Sequence, residues 1–336
     1  MTIAISGTTG ITLAGQFDSA SSFGFKNRII NGQMQIAQRA TSATITAGST
    51  IAAGYSTVDR FYVYCTGANV TAAQVAGSGA TKNILQITGA ASVTAVGIGQ
   101  RIEQLNSYDM AGSTATLSLD ISNSLLTTVT WTAYYANTAN TFGTLASPTR
   151  TQIATGTFTV TSTLTRYSTQ ISIPAAATTG IEVVLTVGAQ TSGTWVVGNI
   201  QLEESSIATS FDYRPYGTEL QLCQRYLPAY RATAGNWRFP AACVCGATNQ
   251  IYATVIFPVT TRTNPTGVTV SAAANVTGGV DGIVANTAFT SVTYSLGSTQ
   301  AARILGTTAT SPFTAGQSAQ IELNNSGYLY FDGCEL

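Results

Sequence analysis

Asn199-Ile200-Gln201-Leu202-Glu203-Glu204-Ser205-Ser206-Ile207-Ala208-Thr209-Ser210-Phe211-Asp212-Tyr213-Arg214-Pro215-Tyr216-Gly217-Thr218-Glu219-Leu220-Gln221-Leu222-Cys223-Gln224-Arg225-Tyr226 holds a strand, a corner and a helix in succession. Over 199–203, Ile200 and Leu202 alternate with polar neighbours, the period-two pattern of a strand with one buried face. Residues 205–212 form a polar elbow interrupted by Ile207 and Phe211. Pro215 fixes its own φ ahead of a short helix over about 218–226. On that helix Leu220, Cys223 and Tyr226 or Leu227 recur at helical spacing. A closing strand, a corner and a helix mark the end of one domain and the start of another.

Upstream of this corner, strand patterns recur at 61–65, 84–88, 114–121, 128–135, 155–160, 166–173 and 181–187, with turn residues between them. Many short strands and few helical windows predict an antiparallel, jelly-roll-like β-sandwich over 26–213. Near its start Asn31-Gly32 is a turn dipeptide, and Met34 and Ile36 alternate as on a strand. Downstream of a linker helix over 214–228, 237–245 and 250–258 flank a turn at 246–249. With 291–296, 321–323 and 328–331 they predict a smaller C-terminal β-sandwich over 229–336. Residues 1–25 are rich in Gly, Thr and Ser and carry too few apolar residues for a core, so they read as an extended N-terminal arm. The fold class is therefore all-β, with one short helix connecting the two domains.

Gln201-Leu202-Glu203, then Ala208-Thr209, Phe211, Arg214, Tyr216-Gly217, Glu219-Leu220 and Leu222-Cys223-Gln224-Arg225-Tyr226, form a long gapless pattern. Asn31-Gly32, Met34, Ile36, Gln38-Arg39 and Asp59-Arg60-Phe61 precede it. Phe257-Pro258-Val259, Arg262, Pro265-Thr266 and the ending Tyr330-Phe331-Asp332-Gly333, Glu335-Leu336 follow it. Together these resemble bacteriophage tail-fibre and related virion appendage proteins, with a small departure at Gly333-Cys334, where the family has Ala. The resemblance implies that the strand at Met34 and Ile36 starts a β-sandwich. It also implies a homotrimer located in the virion, in a phage tail or another appendage. Gln100-Arg101-Ile102-Glu103-Gln104, Gly112 and Thr116-Leu117-Ser118-Leu119 resemble in layout the jelly-roll carbohydrate-binding modules.

Composition narrows the chemistry. The 336 residues carry 14 basic and 14 acidic side chains, a net charge of zero, and only 8% charged residues. No basic field exists to hold nucleic acid or an anionic membrane. So little charge leaves weak protection against self-association, which suits a surface covered by neighbouring copies. Twelve of the 14 basic residues are Arg, the better residue for planar, partly buried contacts. Histidine is absent, which removes Ser–His and Cys–His catalysis and the usual zinc sites. The five cysteines, Cys65, Cys223, Cys243, Cys245 and Cys334, lack the spacing of a disulfide scaffold or a metal site and read as buried small hydrophobes. No cofactor or metal is expected. Residues 1–15 lack the basic start of a signal peptide, and no apolar run approaches a membrane span. Synthesis in the host cytoplasm without membrane insertion is expected.

Two groups of candidate site residues remain. Trp131, Tyr134 and Tyr135 cluster on one predicted strand, where Trp131 and Tyr135 share a face and Tyr134 takes the other. An exposed ring among them would stack on a sugar, with Trp131 and Tyr135 preferred over Tyr134. In the arm, Ile3, Ile5, Ile11, Phe17 and Phe23 would dock on other virion proteins by adding strands to a neighbour's sheet edge. For hydrolysis a pair of carboxylates in a cleft is required, and the acids, Glu182 among them, are scattered. With the scattered acids, the resemblance implies a non-enzymatic phage structural protein, a tail fibre attaching to a bacterial surface glycan. The alternative is a head-fibre or capsid-decoration protein, and a glycan-cleaving enzyme comes last.

Overall fold

The structure is a computed structural model. It describes residues 3–6, 10–13, 25–48, 54–232, 235, 237–238, 241–324 and 327–336, with backbone only for 3–6, 10–13 and 237–238. The chain divides into two compact units, Met1–Tyr216 with Leu336, and Gly217–Glu335. Every described strand pairing is antiparallel.

The first unit begins with a hairpin, β1 (Ile3–Ser6) against β2 (Gly10–Leu13). It continues through β3 (Ser42–Ile45), β4 (Tyr62–Thr66), β5 (Val70–Ala76), β6 (Asn83–Thr88) and β7 (Ala95–Ile102). Then come β8 (Thr114–Asn123), β9 (Thr128–Ala136), β10 (Arg150–Thr159), β11 (Thr165–Ser172), β12 (Ile181–Val187) and β13 (Thr194–Glu204). One sheet has the order β10-β9-β12-β7-β4 and the other β11-β8-β13-β6-β5-β3. The two turn their apolar faces to one core. Val63, Ile98, Trp131 and Leu185 come from the first sheet; Leu85, Leu117, Trp195 and Val197 come from the second. This is a β-sandwich, built as period-two alternation requires.

The stretch that marks the corner lies in the middle of this unit. β13 bonds β8 on one edge and, with its first half, β6 on the other. The rest of that second edge is served by 27–32. The backbone N–H of Arg28 donates to Leu202 O (2.8 Å), that of Ile200 donates to Gly32 O (2.9 Å), and Asn27 Nδ2 donates to Ile200 O (2.9 Å). A Cβ on Gly32 would collide with the Ile200 carbonyl, so the turn needs glycine there.

The strand expected at Met34 and Ile36 is absent. Asn31 and Met34 take positive φ of 60° and 58°. Side chains bond the backbone that a strand partner would have taken. Asn31 Nδ2 donates to Ile36 O (2.8 Å), and Asn31 Oδ1 accepts from Ile36 N (3.0 Å). Gln100 bonds both backbone groups of Ile30 at 2.8 Å.

α1 (Tyr216–Gln224) follows Pro215 directly and is nine residues long. Glu219 and Cys223, four apart, take its buried face, and Leu220 is half-buried. The second unit continues through β14 (Ala229–Arg231), β15 (Trp237–Arg238), β16 (Ala241–Ala247), β17 (Gln250–Ile256) and β18 (Gly267–Val270). β19 (Val276–Val280), β20 (Val284–Gly297), β21 (Ala301–Thr308), β22 (Ser318–Leu323) and β23 (Tyr328–Asp332) complete it. The turn between β16 and β17 is Thr248-Asn249, shorter than expected, because a bulge at Gly246 takes up the slack. β14, β23 and β18 form a three-stranded sheet. In the larger set β22 pairs with β16 and also with β19, which closes β16, β17, β21, β20, β19 and β22 into a ring. Phe331 of the small sheet and Phe257 and Phe289 of the larger set share one core.

Candidate functional site

The sheet order β10-β9-β12-β7-β4 places side chains from five distant segments on one outward face. Inward positions of these strands, such as Val63, Ile98, Trp131, Ala133, Val183 and Leu185, lie in the core, so the alternate positions face away from it. Register sets three rows. Tyr64, Gly97, Thr186, Thr130 and Thr157 form one; Tyr62, Gly99, Val184, Thr132 and Thr155 the next. Arg101, Glu182, Tyr134 and Gln152 form the third.

Glycine in mid-strand gives up side-chain packing and marks a close approach. Here the approach is aromatic. A Cβ on Gly97 would collide with the Tyr64 ring and one on Gly99 with the Tyr62 ring. The two rings therefore lie down over β7, 6.4 Å apart and 25° from parallel. Tyr62 is fully buried, and Tyr64 is half-buried.

Beside them Glu182 is fully buried and fully engaged. Its Oε1 accepts from Arg101 Nε at 2.8 Å and from the Tyr62 hydroxyl at 2.9 Å. Its Oε2 accepts from Arg150 Nη1. Arg101 directs its other nitrogens to the carbonyls of Gly143 and Leu336, both at 3.0 Å. The Arg150 guanidinium lies over the Tyr134 ring, 4.0 Å from its centroid, a cation–π contact. Burial, with Glu182 next, holds the Tyr62 hydroxyl well above its ordinary pKa, and burial likewise raises Tyr64. Burial alone would lower Arg150, but Glu182 and Tyr62 reverse that and raise it. At neutral pH the face therefore carries neutral phenols and two permanent cations around one carboxylate.

With both oxygens of Glu182 taken, this cluster orients Arg150 and Tyr134 and offers no free carboxylate for acid–base chemistry. Among the described residues no group of three or more His, Cys, Asp or Glu could hold a metal ion. Cys65, Cys223, Cys245 and Cys334 are buried and Cys243 half-buried, all unbridged, and burial pushes the Cys243 thiol up to about 11. No helix among the described residues is long and apolar enough to cross a membrane.

Of the three aromatics singled out from the sequence, the structure reverses the preference. Trp131, 6% exposed, packs in the core with its indole against Gly156 and cannot stack on a sugar. Tyr135 is half-buried on the same inner side. Tyr134 is the member that faces outward, half-buried under Arg150. Tyr62, Tyr64, Arg101, Arg150 and Glu182 belong to the site without having been singled out. Their signal was the pairing of Tyr62-x-Tyr64 with Gly97-x-Gly99, two aromatics and two glycines at strand spacing. In the arm, the backbone at Ile3, Ile5 and Ile11 forms the β1–β2 hairpin, with Ile5 opposite Ile11. Phe17 and Phe23 lie outside the described residues.

No family model and no curated protein matches the chain. Among solved structures it is similar to CBM4, at 13% identity and a TM-score of 0.35, over 52% of this chain and 98% of that one. It is also similar to TmCBM61 in complex with beta-1,4-galactotriose, at 9% identity and a TM-score of 0.32, over 53% and 99%. The enzymatically active domain of bacteriophage CBA120 tailspike protein 4 aligns at 15% identity and a TM-score of 0.32, over 53% of this chain and 21% of that one. Each covers about half of this chain. The chemistry of the outward face rests on its own residues.

Proposed function

We propose that the first unit binds a glycan on the outward face of its five-stranded sheet. The observation that carries this is the setting of Tyr64 and Tyr134. Both rings are half-buried at the sides of a floor bearing Thr130, Thr132 and Thr186, and Arg150 is locked over one of them by a buried carboxylate. Half-buried tyrosines present an apolar ring face to sugar C–H groups, while threonine hydroxyls and arginine N–H groups serve sugar hydroxyls. Such a face recognises flat, polyhydroxylated ligands and has no group placed to cleave them.

In the whole chain this face serves host attachment: the protein is a bacteriophage virion component, a tail fibre. Support comes from the motifs around Asn31, Arg214 to Tyr226 and Tyr330 to Leu336, which resemble tail-fibre proteins. The low charge of the chain supports assembly with further copies, and the number three follows that resemblance. The arm over 1–25 docks on other virion proteins.

A glycan array probed with the wild-type protein and with Tyr134→Ala and Tyr64→Ala tests the binding. Retention by the wild type, weakened in both variants at unchanged melting temperature, is expected; equal retention in all three overturns it. Imaging of labelled protein on intact particles tests the location. Signal on the tail is expected, and signal on the shell would favour the head-fibre or capsid-decoration alternative.

A further inference from the structure

We infer that the ligand of this face is an acidic glycan, a polymer whose sugars carry carboxylates. The inference rests on the glycan reading above and adds the charge of the ligand. Two guanidiniums, those of Arg101 and Arg150, converge on one carboxylate side chain, Glu182. Arg101 is spent, since all three of its nitrogens bond protein acceptors. Arg150 is different. Its Nη1 bonds Glu182, a hydrogen bond with Tyr62 adds to this, and its Nε is buried with no acceptor. Its side chain is 13% exposed, on the rim of the face beside Tyr134.

An arginine anchored in this way and stacked on a ring has lost its rotamer freedom before any ligand arrives. What it still offers at its exposed part is positive charge and guanidinium N–H donors, which a carboxylate matches better than a neutral hydroxyl. A hydroxyl can accept a hydrogen bond but cannot neutralise the charge. A uronate carboxylate does both. The groups facing Arg150 are Glu182, Tyr62, Tyr64 and Tyr134. Burial raises the pKa of Tyr62, so Glu182 is the one negative charge already there.

The test uses the full chain and matched polymers. Polygalacturonate, alginate and hyaluronan are immobilised, each beside its carboxyl-reduced form. Wild-type protein is expected to bind at least one acidic polymer and to bind its reduced counterpart about 10- to 100-fold more weakly, the worth of a charge-assisted pair. Binding to the acidic form should weaken with added salt. Arg150→Gln should abolish the preference, and Arg150→Lys should keep part of it, because the charge remains and the guanidinium is lost. The polymer comparison uses unaltered protein, so it decides even if a variant folds poorly. Equal binding to acidic and reduced polymers overturns the inference and leaves the glycan reading standing. Binding to no polymer of either kind counts against both.

Discussion

On the outward side of the six-stranded sheet, Asp120 accepts from Arg166 (3.3 Å), Thr81 (2.5 Å) and Asn199 (2.9 Å), and Arg166 donates to the Asn199 carbonyl (2.6 Å) and the Ser118 hydroxyl (2.7 Å). On the outward side of the five-stranded sheet, Glu182 gathers Arg101, Arg150 and Tyr62. Both are arginine–carboxylate clusters with aromatic rings beside them. They differ in what lies above. The elbow after β13 folds over the first: the Thr116 hydroxyl donates to Ser205 O (2.7 Å), Phe211 lies 5.9 Å from the Arg166 guanidinium, and the Tyr213 hydroxyl donates to Ala80 O (3.0 Å). Glu203 pins that elbow through the N–H (2.9 Å) and hydroxyl (2.6 Å) of Thr209. The first face thus has its partner within the chain. The second keeps half-buried tyrosines and a part-exposed arginine, which is why we propose the binding site there.

The largest expected effect separates the two clusters by stability. Glu182→Gln removes a buried carboxylate and leaves the buried Arg101 and the half-buried Arg150 without a counter-charge, and should cost about 3–5 kcal/mol in chemical denaturation. Asp120→Asn, beside an Arg166 that is a third exposed, should cost about 1 kcal/mol or less. Equal losses would erase the distinction between a cluster on a fully buried carboxylate and one on a part-exposed carboxylate.

The two sides of β9 give the next contrast. Trp131→Ala empties core volume and should cost about 3–5 kcal/mol of stability. Tyr134→Ala should leave the melting temperature within a few degrees yet weaken glycan binding by about 1–2 kcal/mol, roughly 5- to 30-fold. A Tyr134 variant that melts as low as the Trp131 variant would make Tyr134 a packing residue.

Alkaline pH sharpens the difference further. The Tyr62 hydroxyl is held neutral by burial, then by Glu182, so its folded pKa lies above its unfolded one. The folded state thus keeps a proton that the unfolded state has lost, and stability falls as pH rises above about 10. In Tyr62→Phe that alkaline slope should be shallower; an unchanged slope would assign it to other groups.

The smallest effect belongs to the covered face. Phe211→Ala should loosen the elbow at a cost of about 1 kcal/mol and leave glycan retention unchanged. A loss of retention would move the binding site to the six-stranded sheet.

Much of this was legible in the sequence because strand period is local. Ile200 and Leu202, or Val129, Trp131 and Ala133, declare a shared face within a few residues, and Pro215 announces the helix. Which face of β9 looks outward was also written there. Thr130 and Thr132 flank Trp131 on the polar side that continues to Tyr134, a cue outweighed by the size of the indole. The ion cluster was not legible. Glu182 lies 81 residues from Arg101 and 32 from Arg150, and only the sheet order makes them neighbours. At Met34 and Ile36 the alternation misled, because the side chains of Gln74 and Asn31 satisfy that backbone in place of a strand. The closure of the second unit depends on which two strands β22 joins, a long-range choice with no local signature.

That closure bears on how the chain would meet another copy of itself. A sheet with free edges invites any extended segment of a neighbour to add itself as the next strand. A ring of strands has no first or last member, so it leaves fewer backbone donors and acceptors for a neighbour than an open sheet does. For a protein with so few charges to keep copies apart, this is protection by geometry in place of electrostatic repulsion. Side-chain contacts between closed surfaces set orientation and stop at a fixed number, whereas strand addition can propagate without limit.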